Sequence, residues 1–340
     1  MRAAPRNALT DIAGLTLGHA TDDRLRSGVT VVVCAEPFPA AVDVRGGGPG
    51  TRETDALAPE ALFGRASALV LSGGSMFGLA AADGVAAALT AEGRGLRIAP
   101  GAPPVAIVPS AILYDLGNGG DKAWGDAPPY RELGAAAYRA AGAEVAIGAV
   151  GAGRGAVAGR VKGGLGTASA ALESGETVAA LVAVNPVGSV LTPCGRAFWA
   201  WPWEIGGEFG GGRPDLAHPS SDGWAQSKPL PQTALAPASN TTIGVLATDA
   251  ALDRADLKRV AAMAQDGFAR AIRPAHTPFD GDTLFALATG SGPASRDPAA
   301  IARLGAAAAD CVARAIARGV WSAIADPNGP PAARDLLASP

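Results

Sequence analysis

Residues 240–250 read NTTIGVLATDA, a polar junction followed by a short apolar run. Such a run of branched and small apolar residues is typical of a buried β-strand. The run follows segment 202–239, which is rich in Gly, Pro, Ser and Ala. A structureless loop of that length is commonly functional, a linker or disordered. We therefore expect a strand to begin at Thr241 and to open a compact last third of the chain.

Strand-like runs and helix-like segments alternate along the rest of the chain. The apolar runs lie at 27–34, 66–73, 144–150, 177–185, 241–249 and 283–290. Segments with helical spacing lie at 77–93, 253–272 and 297–319. This alternation predicts a layered α/β protein, and no repeat of fixed period is visible.

The composition excludes several classes of protein. Of the 340 residues, 48% are apolar and 17% are charged, and the net charge is −3. Lys and Arg are not clustered, so no nucleic-acid partner is indicated. No stretch has the length of a membrane span, and the N-terminus lacks a signal-peptide core. Cys34, Cys194 and Cys311 lack paired spacing, so we expect no disulfide or zinc cluster and a cytoplasmic, soluble protein.

The Asn240-Thr241 junction has two interpretations. It is either a turn into a Thr-rich strand or a peptide bond that the protein cuts itself. A threonine hydroxyl needs a neighbouring base, and a free α-amino group with a pKa of about 8 can be that base. Thr241 could expose its own amine by attacking the Asn240 carbonyl in an N-to-O acyl shift. The dipeptide alone favours the simple turn.

Further candidate site residues stand at the ends of apolar runs. Asp280 and Asp282 are two residues apart, so alternation places both on one face, where they could orient an amine or a hydroxyl. The alternative is an Asp-Gly turn with solvated carboxylates. Lys162, before paired glycines, could be a partner for an Asp or a base. Tyr114 and Asn185 could donate to an oxyanion or serve as capping or turn residues.

A serine-hydrolase triad is the obvious rival, but its motif is incomplete. Neither Ser72 nor Ser75 has glycines on both sides at the spacing of a nucleophile elbow. The histidines are His19, His218 and His276, and none lies in an HExxH motif. The pattern therefore disfavours both a His-based triad and catalytic zinc.

The glycine-rich segment 43–57 does not have the order of a P-loop, because no Gly-Lys-Ser/Thr is present. We expect its charged residues to form a buried ionic network around a glycine turn. These residues are Arg45, Arg52, Glu53 and Asp55.

Together these stretches resemble the P1 family of peptidases (peptidase family S58). The resemblance runs from about residue 8 to about residue 320 and rests on several long motifs. They include ALTDIAGLTLGHATDDRLRSGVTVVV, AVDVRGGGPGTRETDAL, LSGGSMFGLAAADGV, PPVAIVPSAILYDL, KGGLGTAS, ALVAVNPVGSV and NTTIGVLATDA. The family holds L-aminopeptidase/D-esterases, β-peptidyl aminopeptidases and 6-aminohexanoate-oligomer (nylon oligomer) hydrolases. It implies a four-layer α/β/β/α sandwich that is similar in layout to the N-terminal-nucleophile hydrolases.

The resemblance also implies how the protein matures. Members are made as one precursor that cuts itself before a Ser or Thr, and the two subunits stay together. Here the nucleophile would be Thr241, and a single domain would divide into subunits 1–240 and 241–340. No metal or organic cofactor is implied. Relatives are commonly tetramers of processed protomers, so we expect a tetramer.

The family's functional positions can be placed residue by residue. Its oxyanion donors fall on Tyr114 and Asn185, and its KGG lysine falls on Lys162. Aminopeptidase branches typically have a Ser nucleophile with a Ser and a Glu two residues apart. The threonine here, with Asp280 and Asp282, is more similar to the nylon-oligomer hydrolases.

We therefore expect a self-processing N-terminal-threonine amide hydrolase that acts on short peptides or amide oligomers. One alternative is an aminopeptidase of the same family. The alternative of another class is an unprocessed, non-catalytic binding protein.

Overall fold

The computed structural model describes residues 1–214, 224, 226–229, 240–293 and 297–338. Within this part of the chain the strands are β1 Leu15–Asp22, β2 Ser27–Val44, β3 Thr51–Arg52, β4 Arg65–Ser72, β5 Ser110–Ile112, β6 Val157–Ala158, β7 Val161–Lys162, β8 Gly164–Ala171, β9 Thr177–Asn185, β10 Thr241–Thr248 and β11 Thr283–Ala288. The α-helices are α1 Ala81–Ala91, α2 Tyr130–Arg139, α3 Arg254–Ala264, α4 Asp266–Ala271, α5 Pro298–Ser322 and α6 Ala333–Leu337.

One long strand, β2, joins two sheets. Its first part pairs with β1 and β4, and its last part pairs with β11. On one side the strand order continues through β4, β5 and β3, and on the other through β11, β10, β9 and β8. β10 is parallel to β11 and antiparallel to β9. The last third of the chain thus supplies two interior strands to a sheet whose other strands come from the first two thirds.

Three clusters of buried apolar residues define four layers. The middle cluster, with Leu69, Ile243 and Phe285, lies between the two sheets. A second cluster packs α3, α4 and α5 on the outer face of the β8–β11 sheet. The third packs α1 and α2 on the outer face of the sheet formed by β1, β2 and β4. The layer order is α/β/β/α, which confirms the predicted architecture.

Small residues let the longest helix approach its sheet closely. α5 begins at Pro298 after the N-cap residue Asp297, whose side chain accepts from the Ala299 N–H at 3.1 Å. A Cβ on Gly166 of β8 would lie 2.0 Å from the Ala315 carbonyl oxygen of α5. Only glycine fits there, so part of β8 lacks the branched residues that usually identify a strand.

Most predicted elements are present, although β2 extends beyond the predicted run 27–34 to Val44 and the predicted helix 253–272 is divided into α3 and α4. Several elements, among them β1, β8 and α2, were not predicted. Other segments differ in kind. The run 144–150 is not a strand and makes one isolated bridge, from Gly148 to Leu165. The helical segment 77–93 opens with a 3₁₀-helix, Ser75–Ala80, before α1. The start of the predicted loop 202–239 packs on the core through Phe209, while 215–223, 225 and 230–239 lie outside the described residues.

No helix among the described residues is both long enough and apolar enough to cross a membrane.

Candidate active site

The predicted nucleophile lies between two neighbouring strand ends. Thr241 is the first residue of β10 and pairs with Asn185, the last residue of β9. Asn240 forms a parallel bridge with Asp280, which precedes β11. Asn240 and Thr241 are 3% and 2% exposed. The end of β9 and the turn before β11 therefore enclose the Asn240–Thr241 peptide from both sides.

The carbonyl of that peptide accepts two hydrogen bonds. The Thr241 hydroxyl donates to the Asn240 carbonyl oxygen. The Gly281 N–H donates to the same oxygen at 3.1 Å. A Cβ on Gly281 would lie 2.7 Å from Thr241 Oγ1, so the hydroxyl is confined between this backbone and its own preceding carbonyl. An attack on that carbonyl can start from this position.

The Asp282 carboxylate holds the backbone just after the nucleophile. Its Oδ1 accepts from the Thr242 N–H at 2.8 Å. Its Oδ2 accepts from the His276 N–H at 3.0 Å and lies 2.8 Å from His276 Nδ1. Hydrogen bonds to a carboxylate are among the stronger ones, and Asp282 is buried. This side chain therefore ties the start of β10 to the turn that precedes β11.

The Asp280 carboxylate is also buried and fully engaged. Its Oδ1 accepts from the Val187 N–H at 3.0 Å, and its Oδ2 accepts from the Thr277 hydroxyl at 2.6 Å and the Thr277 N–H at 3.1 Å. Burial, then the negative charge of Asp282, raises the pKa of Asp280. The structure thus brings the two carboxylates together. In the contacts of the described residues, neither hydrogen-bonds to Thr241 itself while the chain is uncleaved.

The glycine-rich segment after β2 supports this turn. The Gly48 N–H donates to the Asp280 carbonyl at 2.9 Å, and the Gly46 N–H donates to the Asp282 carbonyl at 3.2 Å. A Cβ on Gly46 would lie 2.2 Å from the Asp282 nitrogen. Any side chain would push the two backbones apart, which explains why this segment is glycine-rich although it is not a P-loop.

A cavity of about 230 Å³ opens beside the Asn240 side chain. Tyr114 and Asn185, the predicted oxyanion donors, lie in its wall. Asn185 donates through Nδ2 to the Tyr114 carbonyl oxygen at 3.0 Å and accepts through Oδ1 from the Val157 N–H at 2.9 Å. Because an amide NH₂ has two protons, Asn185 retains a donor that a substrate oxygen could use.

Lys162 forms an ion pair with an aspartate, which was one of its two predicted roles. Its Nζ is 2.9 Å from Asp326 Oδ2 and donates to the Arg154 carbonyl oxygen at 2.6 Å. Lys162 is 2% exposed, and burial lowers its pKa against the opposing effect of Asp326. Its carboxylate partner therefore comes from the end of the chain, not from the pair at 280 and 282.

Two polar side chains of the site were not predicted. Lys228 donates through Nζ to Asn240 Oδ1 at 2.7 Å and to Asn185 Oδ1 at 3.3 Å. Burial lowers the pKa of Lys228 to about 7, against the charge of Asp280, which raises it. His276 contacts Asp282. The position of His276 close before the two aspartates was a usable signal, whereas Lys228 lies in the segment 202–239 that was predicted as a loop and belongs to no motif.

The rival histidine sites do not assemble. His19 Nδ1 lies 3.0 Å from Thr30 Oγ1, and His276 Nδ1 faces Asp282, so neither ring nitrogen contacts a serine. His218 lies outside the described residues. No group of three or more His, Cys, Asp or Glu in the described part of the chain could hold a metal ion.

The buried ionic network predicted for segment 43–57 is wrong. Arg45 pairs with Asp43 at 2.8 Å, and Arg52 pairs with Asp83 at 2.7 Å; the Arg45 and Arg52 side chains are 38% and 36% exposed. Glu53 and Asp55, the other two charged residues of the predicted network, are exposed. The tight backbone contacts of the glycines bring the turn against residues 278–282 and leave the charged side chains at the surface.

Comparison with known proteins identifies close relatives. The model of peptidase family S58 matches residues 7–327. An uncharacterized aminopeptidase of Mycobacterium tuberculosis (strain ATCC 25618 / H37Rv) is 45% identical over 337 residues, 93% of this chain and 94% of the relative. A 6-aminohexanoate-oligomer endohydrolase of Kocuria sp. (strain KY2) is 30% identical over 297 residues, 85% of this chain and 77% of the relative.

Solved structures share the whole architecture. A Burkholderia sp. beta-aminopeptidase matches with a TM-score of 0.70 at 25% identity, over 98% of this chain and 93% of that chain. An L-aminopeptidase D-Ala-esterase/amidase of Ochrobactrum anthropi, described as a variant of the Ntn hydrolase fold, matches with a TM-score of 0.66 at 22% identity, over 94% and 87%. The fold is therefore of the N-terminal-nucleophile-hydrolase type.

Proposed function

Because the chain belongs to peptidase family S58 and is a peptide or amide hydrolase, we propose that it processes itself and that Thr241 is its nucleophile. One observation carries the proposal. The Thr241 hydroxyl, buried at the start of β10, lies against the carbonyl of the residue before it. A simple turn into a strand does not require that arrangement.

The proposed cleavage uses groups already in place. Thr241 Oγ1 attacks the Asn240 carbonyl carbon, its proton passes to the departing Thr241 nitrogen, and an ester replaces the peptide bond. Water then hydrolyses the ester and leaves a free amine on Thr241. The Gly281 N–H, 3.1 Å from the Asn240 oxygen, would stabilise the charge that develops there. Removal of such a donor commonly costs about 10²- to 10³-fold in rate.

The proposed fragments, 1–240 and 241–340, would stay associated after cleavage. β10 and β11 are interior strands, hydrogen-bonded to β9 on one side and β2 on the other. The fully buried Arg314 of α5 pairs with Glu208 at 2.5 Å. Separation of the fragments would break the β9–β10 and β2–β11 ladders and expose the apolar residues buried between the fragments, which is strongly unfavourable.

In turnover, the free amine of Thr241 would accept the hydroxyl proton as Oγ1 attacks the substrate amide. Asp282, and Asp280 beside it, would hold the start of β10 and the amine. Tyr114 and Asn185 would stabilise the oxyanion, and the amine would return the proton to the leaving group. Water would then release the acyl group from the Thr241 ester.

Two substrate classes are open to this site. A threonine nucleophile with paired aspartates supports an amide-oligomer hydrolase, and a relative of that name is 30% identical. Relatives named aminopeptidase are more similar, at 45%, which favours the second candidate, an enzyme that requires a free substrate amine.

The test compares hydrolysis of H-Ala-p-nitroanilide, its N-capped form and a 6-aminohexanoate oligomer. An aminopeptidase cleaves only the uncapped anilide at a useful rate, whereas an amide-oligomer hydrolase tolerates the cap and cleaves the oligomer. Thr241→Ala should abolish every activity. Hydrolysis by folded Thr241→Ala protein at the wild-type rate would contradict the proposed nucleophile.

A further inference from the structure

Lys228 occupies a position that the proposed mechanism does not use. Its backbone N–H donates to the Val187 carbonyl at 2.9 Å, which anchors it beside the end of β9. Its ammonium group lies in the cavity wall and donates to the side-chain oxygens of Asn240 and Asn185. A lysine held at hydrogen-bond distance from the side chain that precedes the scissile bond can recognise that side chain.

In the uncleaved chain, Asn240 stands where an acyl residue of a substrate would stand. This step rests on the proposed function, in which the same Thr241 oxygen attacks first the Asn240 carbonyl and later a substrate carbonyl. Cleavage makes Asn240 a chain end and lets a substrate residue take its place. The adjoining cavity, about 230 Å³, is below the ~300–1,000 Å³ of most small-molecule sites, so it suits a single side chain.

We propose that in the cleaved enzyme Lys228 forms a subsite that selects acyl residues with an oxygen acceptor at the position of the Asn240 side-chain oxygen. Asparaginyl and aspartyl amides place an oxygen there, whereas a leucyl amide has similar size and no acceptor. A leucyl substrate removes the nearest acceptor of the buried ammonium group and leaves it the longer contacts with Asn185, at 3.3 and 3.5 Å, so leucyl substrates are penalised. Aspartyl substrates add an ion pair with the ammonium group.

The experiment measures kcat/KM of the purified, cleaved enzyme on p-nitroanilides of Asn, Asp and Leu, each uncapped and N-acetylated. We expect the Asn and Asp substrates to exceed the Leu substrate by about 10- to 100-fold, the effect of one hydrogen bond to a charged group. Lys228→Met should reduce that ratio by about the same factor. Lys258→Met, a lysine paired with Asp43 outside the cavity, is the matched control and should keep the ratio.

If Lys228→Met is cleaved too slowly to yield mature enzyme, the slow cleavage of the precursor itself reports on the same subsite. Cleavage rates of Asn240→Leu, Lys228→Met and the double variant then form a double-mutant cycle. A subsite contact predicts that Lys228→Met has little further effect once residue 240 is leucine. Equal slowing in both backgrounds would overturn the inference.

Equal kcat/KM for Asn and Leu substrates in the wild-type enzyme would also overturn it. So would a Lys228→Met variant with an unchanged ratio. Neither result contradicts the proposed function. The proposed function is contradicted if the chain is never cut and hydrolyses no substrate.

Discussion

Gly281→Ala should slow self-cleavage without removing any reacting group. The added Cβ would lie 2.7 Å from Thr241 Oγ1 and 2.7 Å from the Gly48 carbonyl oxygen. Ordinary van der Waals contacts of a Cβ begin at 3.4 Å, so each of these two contacts would be too short by about 0.7 Å. Because the Gly48 oxygen belongs to the backbone, the Thr241 side chain is the group that moves. A displacement of about 1 Å costs roughly 10²-fold in rate, so we expect cleavage to slow by about 10- to 100-fold.

The assay follows the cut fraction of freshly purified protein over time by denaturing electrophoresis, with the melting temperature measured in parallel. Overpacking commonly costs about 1–3 kcal/mol of stability, which the folded protein should survive. Gly142→Ala is the matched control, because a Cβ there meets nothing within 4 Å. Folded Gly281→Ala protein that is cut at the wild-type rate would refute the placement of the Thr241 hydroxyl against this turn.

Three further predictions concern charged groups. Asp282→Asn should slow cleavage by about 10-fold or more, because an NH₂ group replaces one oxygen that accepts from a backbone N–H. Asp126→Asn, at an exposed position, is the control and should leave the cleavage rate unchanged. If Asp282→Asn is cleaved at the wild-type rate, Asp282 does not belong to the site. Lys162→Met should lower the free energy of unfolding, measured in urea, by about 1–3 kcal/mol, because Asp326 loses a buried partner. A urea unfolding curve with the wild-type midpoint and slope would contradict this. The preference for Asp over Leu anilides should fall as pH rises through about 7, because the pKa of Lys228 is lowered to about 7 and the ammonium loses its charge. Lys228→Arg stays protonated, so its preference for Asp over Leu should change little with pH. The same pH dependence in Lys228→Arg as in the wild type would show that Lys228 does not cause it.

Much of the fold could be predicted because its central strands are apolar runs bounded by polar residues. β9, β10 and β11 were predicted within a few residues of their bounds. β8 was missed because the close approach of α5 requires glycine at Gly164 and Gly166, and glycine carries no strand signal. The run 144–150 was predicted as a strand, but Gly148 has a φ of 96° there, which ends regular pairing.

The candidate site was predictable where its residues adjoin those strands. Thr241, Asn185 and the two aspartates stand at strand ends, so the sheet register brings them together. The contacts of Lys228 with Asn240 and Asn185 depend on where residues 226–229 pack beside the end of β9, and neither spacing nor periodicity encodes that position. The same holds for the pairing of Lys162 with Asp326, which lies near the other end of the chain.

The most direct test of the central claim is the intact mass of the purified protein under denaturing conditions. Self-cleavage predicts two polypeptides for the wild-type chain, divided between Asn240 and Thr241, and one for Thr241→Ala. A single wild-type chain that hydrolyses amides at full rate would contradict it.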